Sequence, residues 1–324
     1  MCGNFETVLV TGASGFIGAN VVRQLLAEGH RVHVILRSGT LPWRLADVGA
    51  RQLTVHPADL NDSATVRRAF RAAQPKVVLH LATHGAYESQ AEGRAILQTN
   101  IVGSYNLLQI CAENEVRLFV NAGSSSEYGF QPEPMHEEMK LTPNSFYAVA
   151  KAAQTHLCAL FAQRTAMAVA CFRLFSVYGP WEEPTRLIPT MVRRARAGLP
   201  LEMVDPGIAR DFVYVQDVVA ALVDFPRLMD LRGEIINLGT GVETTLAEVV
   251  ATVKELLDSS SEVRWAAMAP RHWDSRHWVA DPTRAVQRLG WVPRCTFRQG
   301  LARMARWMQT TGDQYGTEAL ARAA

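Results

Sequence analysis

Thr7-Val8-Leu9-Val10-Thr11-Gly12-Ala13-Ser14-Gly15-Phe16-Ile17-Gly18 is the stretch that decides how the rest of this chain is read. Thr7–Thr11 is a short apolar run of strand length, and glycines follow it at once. Ile17, Val21, Val22, Leu25 and Leu26 then fall on one helical face, with Gly29 placed to stop the helix. Arg31–Leu36 is a second short apolar run. Strand, helix and strand in this order make the crossover unit of a parallel sheet.

The alternation continues downstream. Leu53–His56 predicts a strand, Ser63–Ala73 a helix, and Lys76–Ala82 a strand buried on both faces. Gln98–Glu113 predicts a helix, Leu118–Ala122 a strand, Phe146–Arg164 a long helix and Ala168–Phe172 a strand. This pattern predicts an α/β, Rossmann-like doubly wound parallel sheet with helices on both faces. After about Phe175 prolines recur, and six of the seven tryptophans lie beyond residue 180. That half predicts a smaller lobe over the sheet's carboxyl edge, with helices at Thr245–Leu257 and Gln299–Gln309. The expected division is residues 1–175, receiving parts of 207–240, against 176–324; the tail after Thr311 carries little signal.

Between the first strand and helix, Gly12, Gly15 and Gly18 stand where a dinucleotide pyrophosphate would be held. The first allows a tight turn, the second a close approach of phosphate to backbone, and the third close packing of helix on sheet. Ser14, Phe16 and Ile17 complete that turn and bring free N–H groups to the phosphates. A carboxylate about twenty residues on would bond the ribose 2′-hydroxyl of NAD. Here the second strand ends Ile35-Leu36-Arg37-Ser38, with no acid. Arg37 pairs well with a 2′-phosphate and Ser38 donates to it, so NADP(H) is favoured over NAD(H). The alternative is that Arg37 is a surface residue after a strand. Asp59 and Leu60 are placed to meet the adenine, although Asp59 fits a turn equally well.

Tyr147 and Lys151 lie four apart on a predicted helix, hence on one face. Ser124 follows the strand Leu118–Ala122 and reaches the sheet's carboxyl edge. A free tyrosine titrates near ~10, and a neighbouring ammonium together with an oxidised nicotinamide favours the phenolate. Serine then holds the carbonyl or hydroxyl oxygen while tyrosine passes the proton.

With these residues in view, the chain resembles the extended short-chain dehydrogenase/reductases, a family of nucleotide-sugar epimerases, dehydratases and ketoreductases. Gly12–Gly18, His80-Leu81-Ala82, Asn100, Ser124–Gly129, Tyr147 with Lys151, Phe175–Pro180, Arg210–Asp217 and Asn237–Gly241 carry the resemblance over roughly residues 7–310. It implies that Ser124, Tyr147 and Lys151 are catalytic, that Leu81 and Ala82 line the cofactor, and that Phe175 and Val177 flank the nicotinamide. It implies a C-terminal lobe that binds substrate, with Arg210, Arg271 and Arg276 on its pyrophosphate and Asn100 structural. Pairing with Asp211 or Asp217 is the plain alternative for Arg210. Trp181, Trp273 and Trp278 are candidates for stacking on the base, with core packing expected for at least two.

In the family's 4,6-dehydratases an acidic pair directly follows the catalytic serine or threonine. Ser125 and Ser126 stand there in this chain, and Glu127 comes one place late, so dehydration is not expected. The reading that follows is NADPH-dependent 4-ketoreduction of an NDP-4-keto-6-deoxyhexose, with NAD-dependent NDP-sugar 4-epimerisation as the alternative. A non-catalytic dinucleotide-binding sensor is a third class, disfavoured by the complete serine, tyrosine and lysine set. Ser125 is expected to touch substrate, and His84 and Tyr87, in the loop after the fourth strand, are candidates to lie near the sugar. The resemblance implies a homodimer through helices 98–113 and 146–164.

The bulk composition excludes other classes. A net charge of +2 gives no electrostatic case for nucleic acid or a membrane surface. Arg193, Arg194 and Arg196 read as one solvated helix face. The five cysteines are dispersed, with Cys111, Cys158 and Cys171 in apolar patterns, which suits a reducing compartment. His272 and His277 have no metal-ligand spacing, and no metal site is expected. With a strand beginning within a few residues of Met1 and no apolar run near ~20 residues, the cytoplasm is the expected location.

Overall fold

The computed structural model describes residues 6–37, 42–48, 53–269 and 275–323. Ser38, Arg271, His272 and Trp273 lie outside the described residues. The central sheet has seven strands: β1 (Thr7–Thr11), β2 (Arg31–Leu36), β3 (Leu53–Pro57), β4 (Val77–His80), β5 (Leu118–Ser124), β6 (Ala168–Leu174) and β7 (Arg232–Leu238). Every pairing is parallel, in the order β7-β6-β5-β4-β1-β2-β3.

Continuous apolar runs form these strands because both faces are covered. Along β1, Val8 and Val10 enter one core layer and Leu9 the opposite one, all fully buried. The helices that cover the sheet include α1 (Phe16–Ala27), α2 (Ser63–Ala73), α3 (Gly93–Leu97), α4 (Gly103–Glu113) and α5 (Phe146–Arg164). The chain winds outward from β1 through β2 to β3, then returns to add β4 on the other side. That reversal opens a crevice between the carboxyl ends of β1 and β4, the place where α/β sheets take ligands.

Several boundaries differ from the sequence expectation. The helix expected over Gln98–Glu113 is broken by a π-helical turn, Gln98–Val102, between α3 and α4. β5 and β6 each run two residues further, to Ser124 and Leu174, because their backbones remain paired residue for residue. The expected helix Gln299–Gln309 lies in the first half of a longer one, Phe297–Ala323. Beyond β6 a second core forms around Met191, Leu201, Leu246, Val249, Leu301 and Met304. The edge strand β7 and the helix Val215–Leu222 nevertheless pack with the sheet core. Asn20 on α1 bonds the Pro180 carbonyl at 2.9 Å and accepts from Gln216 Nε2 at 3.1 Å.

One buried ion pair fixes the carboxyl ends of β5, β6 and β7. Glu127 is fully buried and accepts from Arg173 Nε at 2.9 Å and from the Ser124 backbone N at 2.9 Å. Arg173 Nη1 donates to the Tyr128 hydroxyl at 2.9 Å, which donates to Asn237 Oδ1 at 2.8 Å. Asn237 Nδ2 in turn reaches the Met135 carbonyl at 2.7 Å. Removing one buried partner strands the other charge, a loss of about 3–5 kcal/mol, whereas replacing both with apolar groups is far milder. Glu127→Gln should therefore lower the urea unfolding midpoint sharply, and Glu127→Met with Arg173→Met should recover most of the loss.

Candidate active site

The crevice starts at the glycine turn. Gly12 has φ +72°, and a Cβ there would lie 2.4 Å from both the Ala82 backbone N and the Leu81 carbonyl carbon. A Cβ at Gly18 would stand 2.1 Å from the Gly12 carbonyl oxygen. Both positions are closed to any side chain, which brings the turn hard against the end of β4. Gly15 caps α1 with no side-chain hydrogen bond, so the first-turn N–H groups of the helix are not taken by a cap. A cradle without Cβ atoms and a helix N-terminus suit a pyrophosphate, and the residues present fit a bound dinucleotide. Phe16 and Ile17 pack partly against the sheet core, while Ser14 is exposed. Arg37 is exposed just past β2. Asp59 Oδ1 accepts from the Asn61 N–H at 2.9 Å and Leu60 is buried, so Asp59 caps a turn.

Across the crevice, β5 delivers Ser124 and the first turn of α5 delivers Tyr147. Ser145 caps α5, accepting from the Ala148 N–H at 3.1 Å, which sets where the helix begins and so where Tyr147 points. Burial raises the Tyr147 phenol above its ordinary value, while hydrogen bonds to Ser124 and Thr83 and the charge of Arg186 pull it down. Thr83 was not anticipated. It follows Ala82 beyond β4, and its hydroxyl also donates to Asn100 Oδ1 at 3.4 Å. Asn100, on the π turn, accepts from the His84 N–H and donates to the His84 carbonyl, both at 2.8 Å. The loop carrying His84 and Tyr87 is thus anchored through its backbone. Arg186, which precedes the helix Leu187–Arg196, ties the same loop down, donating to the Ala86 carbonyl at 2.6 Å with its guanidinium 5.1 Å from the Tyr87 ring.

Lys151 is turned inward. Its Nζ donates to the Ala122 carbonyl at 2.8 Å and to Gln154 Oε1 at 2.9 Å. Burial brings its pKa down to about 8, against the opposing charge of Glu127. The sequence expectation was that the ammonium and an oxidised nicotinamide both favour the phenolate; in the folded chain burial is the largest influence on Tyr147, and it acts the other way.

Several expected contacts fall elsewhere. Ser125 is buried, and its hydroxyl accepts from Trp278 Nε1 at 3.0 Å, so it serves packing and is not open to substrate. Trp278 is a core residue. Trp181 joins Trp43 and Trp307 in an aromatic group, with centroids 5.7 and 5.1 Å away. Phe175 packs with Tyr128, Met135 and Trp278, while Val177 is half-buried. Arg210 donates to the Ala209 and Ser275 carbonyls at 2.8 and 3.0 Å. The acids proposed as its partners are engaged elsewhere, Asp211 with the Thr240 and Gly241 N–H groups and Asp217 with the Cys295 N–H. Arg276 pairs with Asp205 at 3.0 Å on the exposed surface. Arg193, Arg194 and Arg196 are not simply a solvated face, since each donates to a backbone carbonyl, of Pro184, Pro200 and Ala305. Among the described residues no cluster of three or more metal-ligating side chains occurs, and no helix is long and apolar enough to cross a membrane.

The buried lysine leaves a signature in stability. Its folded pKa of about 8 lies below the 10.5 of an unperturbed lysine. Between those values the unfolded chain holds a proton that the folded chain has released, so stability rises with pH. The wild-type unfolding midpoint, taken relative to Lys151→Met, should climb between pH 8 and 10.5. A constant difference across that window would contradict a neutralised lysine.

Comparison with known proteins gives this geometry its family. A family model described as "NAD dependent epimerase/dehydratase family" matches residues 8–239. The dTDP-glucose 4,6-dehydratase of Xanthomonas campestris pv. campestris is 30% identical, over 94% of this chain and 93% of that protein. The UDP-glucuronate 4-epimerase of Thermodesulfobacterium geofontis is 28% identical, over 92% and 95%. Among solved structures, the UDP-glucose 4-epimerase of Thermus thermophilus in complex with NAD superposes with a TM-score of 0.83 at 31% identity, covering 93% of this chain and 98% of that one. The UDP-glucose 4-epimerase of Thermotoga maritima with UDP-glucose gives 0.85 at 27%, covering 94% and 99%. With the glycine cradle, the seven-stranded sheet and the Ser124–Tyr147–Lys151 arrangement in one place, the chain belongs to the NAD-dependent epimerase/dehydratase family.

Proposed function

We propose that this enzyme oxidises and re-reduces a ring hydroxyl of a nucleotide-linked sugar without elimination, with 4-epimerisation as the first reading. One observation carries it. Glu127, the carboxylate closest in sequence to Ser124, is consumed by Arg173, and the influences that pull the Tyr147 phenol down come from the Ser124 and Thr83 hydroxyls and Arg186. A dehydratase needs a carboxyl to protonate the leaving hydroxyl, and here serines stand at 125 and 126. The UDP-glucose and UDP-glucuronate 4-epimerases among the similar proteins support a nucleotide sugar as substrate.

In this reading Gly12, Gly15 and Gly18 seat the dinucleotide pyrophosphate, with Leu81, Ala82 and Val177 along its path. The bound nicotinamide supplies the hydride acceptor and donor. Ser124 donates to the sugar oxygen, Tyr147 takes the hydroxyl proton and returns it, and Lys151 supports the phenolate from behind. Arg210 is the arginine offered to the substrate pyrophosphate. His84 and Tyr87 are the loop residues that would approach the sugar.

A second reading rests on Arg37. It is an exposed cation after β2 where NAD binders of this fold place an acid, which favours NADPH and 4-ketoreduction of an NDP-4-keto-6-deoxyhexose. Titrating the purified protein with NADH and NADPH by fluorescence separates the two readings. Bound NAD⁺ on purification, or tighter NADH, supports the epimerase; about tenfold tighter NADPH, lost in Arg37→Ala, supports the reductase. Tyr147→Phe should cut turnover of UDP-glucose to its C4 epimer by about 10²-fold or more, read by NMR, with the nucleotide sugar still bound.

We also propose a homodimer through residues 98–113 and 146–164. Val102, Tyr105, Phe146, Val149 and Leu160 are all exposed on this pair of helices, an apolar face of the kind that marks an interface. Light scattering should give twice the chain mass, and Val149→Glu should shift it toward one chain.

A further inference from the structure

Beneath Lys151 lies a polar group that the reaction itself does not use. Gln154, Thr11, Ser104 and Asn100 are fully buried, and His80 is 1% exposed. Gln154 Nε2 approaches His80 Nε2 at 3.0 Å and Ser104 Oγ at 2.6 Å. His80 Nδ1 meets Thr11 Oγ1 at 2.7 Å, and Ser104 donates to the Asn100 carbonyl at 2.7 Å.

We propose that Gln154 is a positioning residue: wedged between Lys151 and His80, it holds the lysine ammonium behind Tyr147 and locks the His80 ring with its proton on Nδ1. This inference rests on the assignment of Lys151 to the support of Tyr147.

The contact between the Gln154 amino group and His80 Nε2 favours one arrangement over the other. An ammonium only donates, so Gln154 must turn its carbonyl toward Lys151 and its amino group toward His80. His80 Nε2 must then accept, and the ring proton sits on Nδ1, where it is donated to Thr11. Thr11 Oγ1 also accepts from the Ala82 N–H at 3.4 Å, at the very turn that closes over Gly12. Ser104 accepts the second amide proton, and its own hydrogen is shared between the Asn100 carbonyl and His80 Nε2, which lies 2.8 Å from its hydroxyl. The position of the ammonium is therefore linked by hydrogen bonds to the glycine turn and, through Asn100, to the loop that carries Thr83.

The other groups facing this assembly agree with it. From the turn after β5 comes Glu127, opposing the loss of the lysine charge; from α5 and β6 come Cys158 and Cys171. From β5 come Asn121, the fully buried register partner of His80, and the Phe119 ring at 5.8 Å. Burial first, then the Lys151 charge, brings the His80 pKa down to about 3. A protonated His80 would point a donor at the Gln154 amino group.

Nitrogen-15 NMR of His80 in the whole protein tests the geometry without any substrate. The wild type should show a neutral ring protonated at Nδ1 throughout the neutral range. Gln154→Glu, which keeps the shape, should place a second proton on the ring. A wild-type ring protonated at Nε2, or charged at neutral pH, overturns the proposal. Gln154→Met should then lower kcat about tenfold or more at unchanged KM and alter its pH profile, while Gln154→Glu keeps part of the activity. Unchanged kcat and pH profile in Gln154→Met would overturn the positioning role even with the ring as described. A wild type inert toward all nucleotide sugars overturns the reading of the previous section and the kinetic role with it; the His80 spectrum still decides the arrangement.

Discussion

The ion pair between Glu127 and Arg173 sets the terms for the site. It is fully enclosed, so its members must be satisfied from within the protein, and they are: by Ser124, Thr155, Tyr128 and, beyond them, Asn237. Those bonds tie the ends of β5, β6 and β7 together beside Ser124. The same pair withdraws from the crevice the carboxylate closest to the serine. Placement of the serine and engagement of that carboxylate thus come from one interaction.

Most of the fold could be read along the chain because a doubly wound sheet writes itself in local patterns. Thr7–Thr11, Arg31–Leu36, Ser63–Ala73 and Phe146–Arg164 appear with the expected bounds, since burial on both faces makes strands continuously apolar and the helices keep a regular face. The glycine turn was equally legible, because its three positions are forced by close backbone approach. The π turn at Gln98–Val102 was not, for one extra residue in a helical turn leaves no mark in a periodicity.

Side-chain destinations were harder to read. Ser125 reads as a neighbour of substrate, but its partner, Trp278, is 153 residues away. Thr83 carried no signal beyond its place after His80-Leu81-Ala82, and its role depends on how Asn100 holds the next residue. Gln154 had a usable signal, being three residues beyond Lys151 on the same helical face. The charge of Arg37 argues for a different cofactor from the NAD bound to related structures.

The amide of Gln154 also bears on where protons travel. Hydroxyls and imidazoles relay protons readily, but a primary amide does not, so the chain of contacts behind Lys151 is broken as a conductor at its middle. Tyr147 is accordingly insulated from the interior and meets exchangeable protons only on the side of Ser124, Thr83 and the open crevice. An epimerisation, which hands the same proton out and takes it back, needs no supply from behind Lys151. A net reduction would have to draw each new proton through the mouth that the sugar itself occupies, and would recharge only when its product leaves.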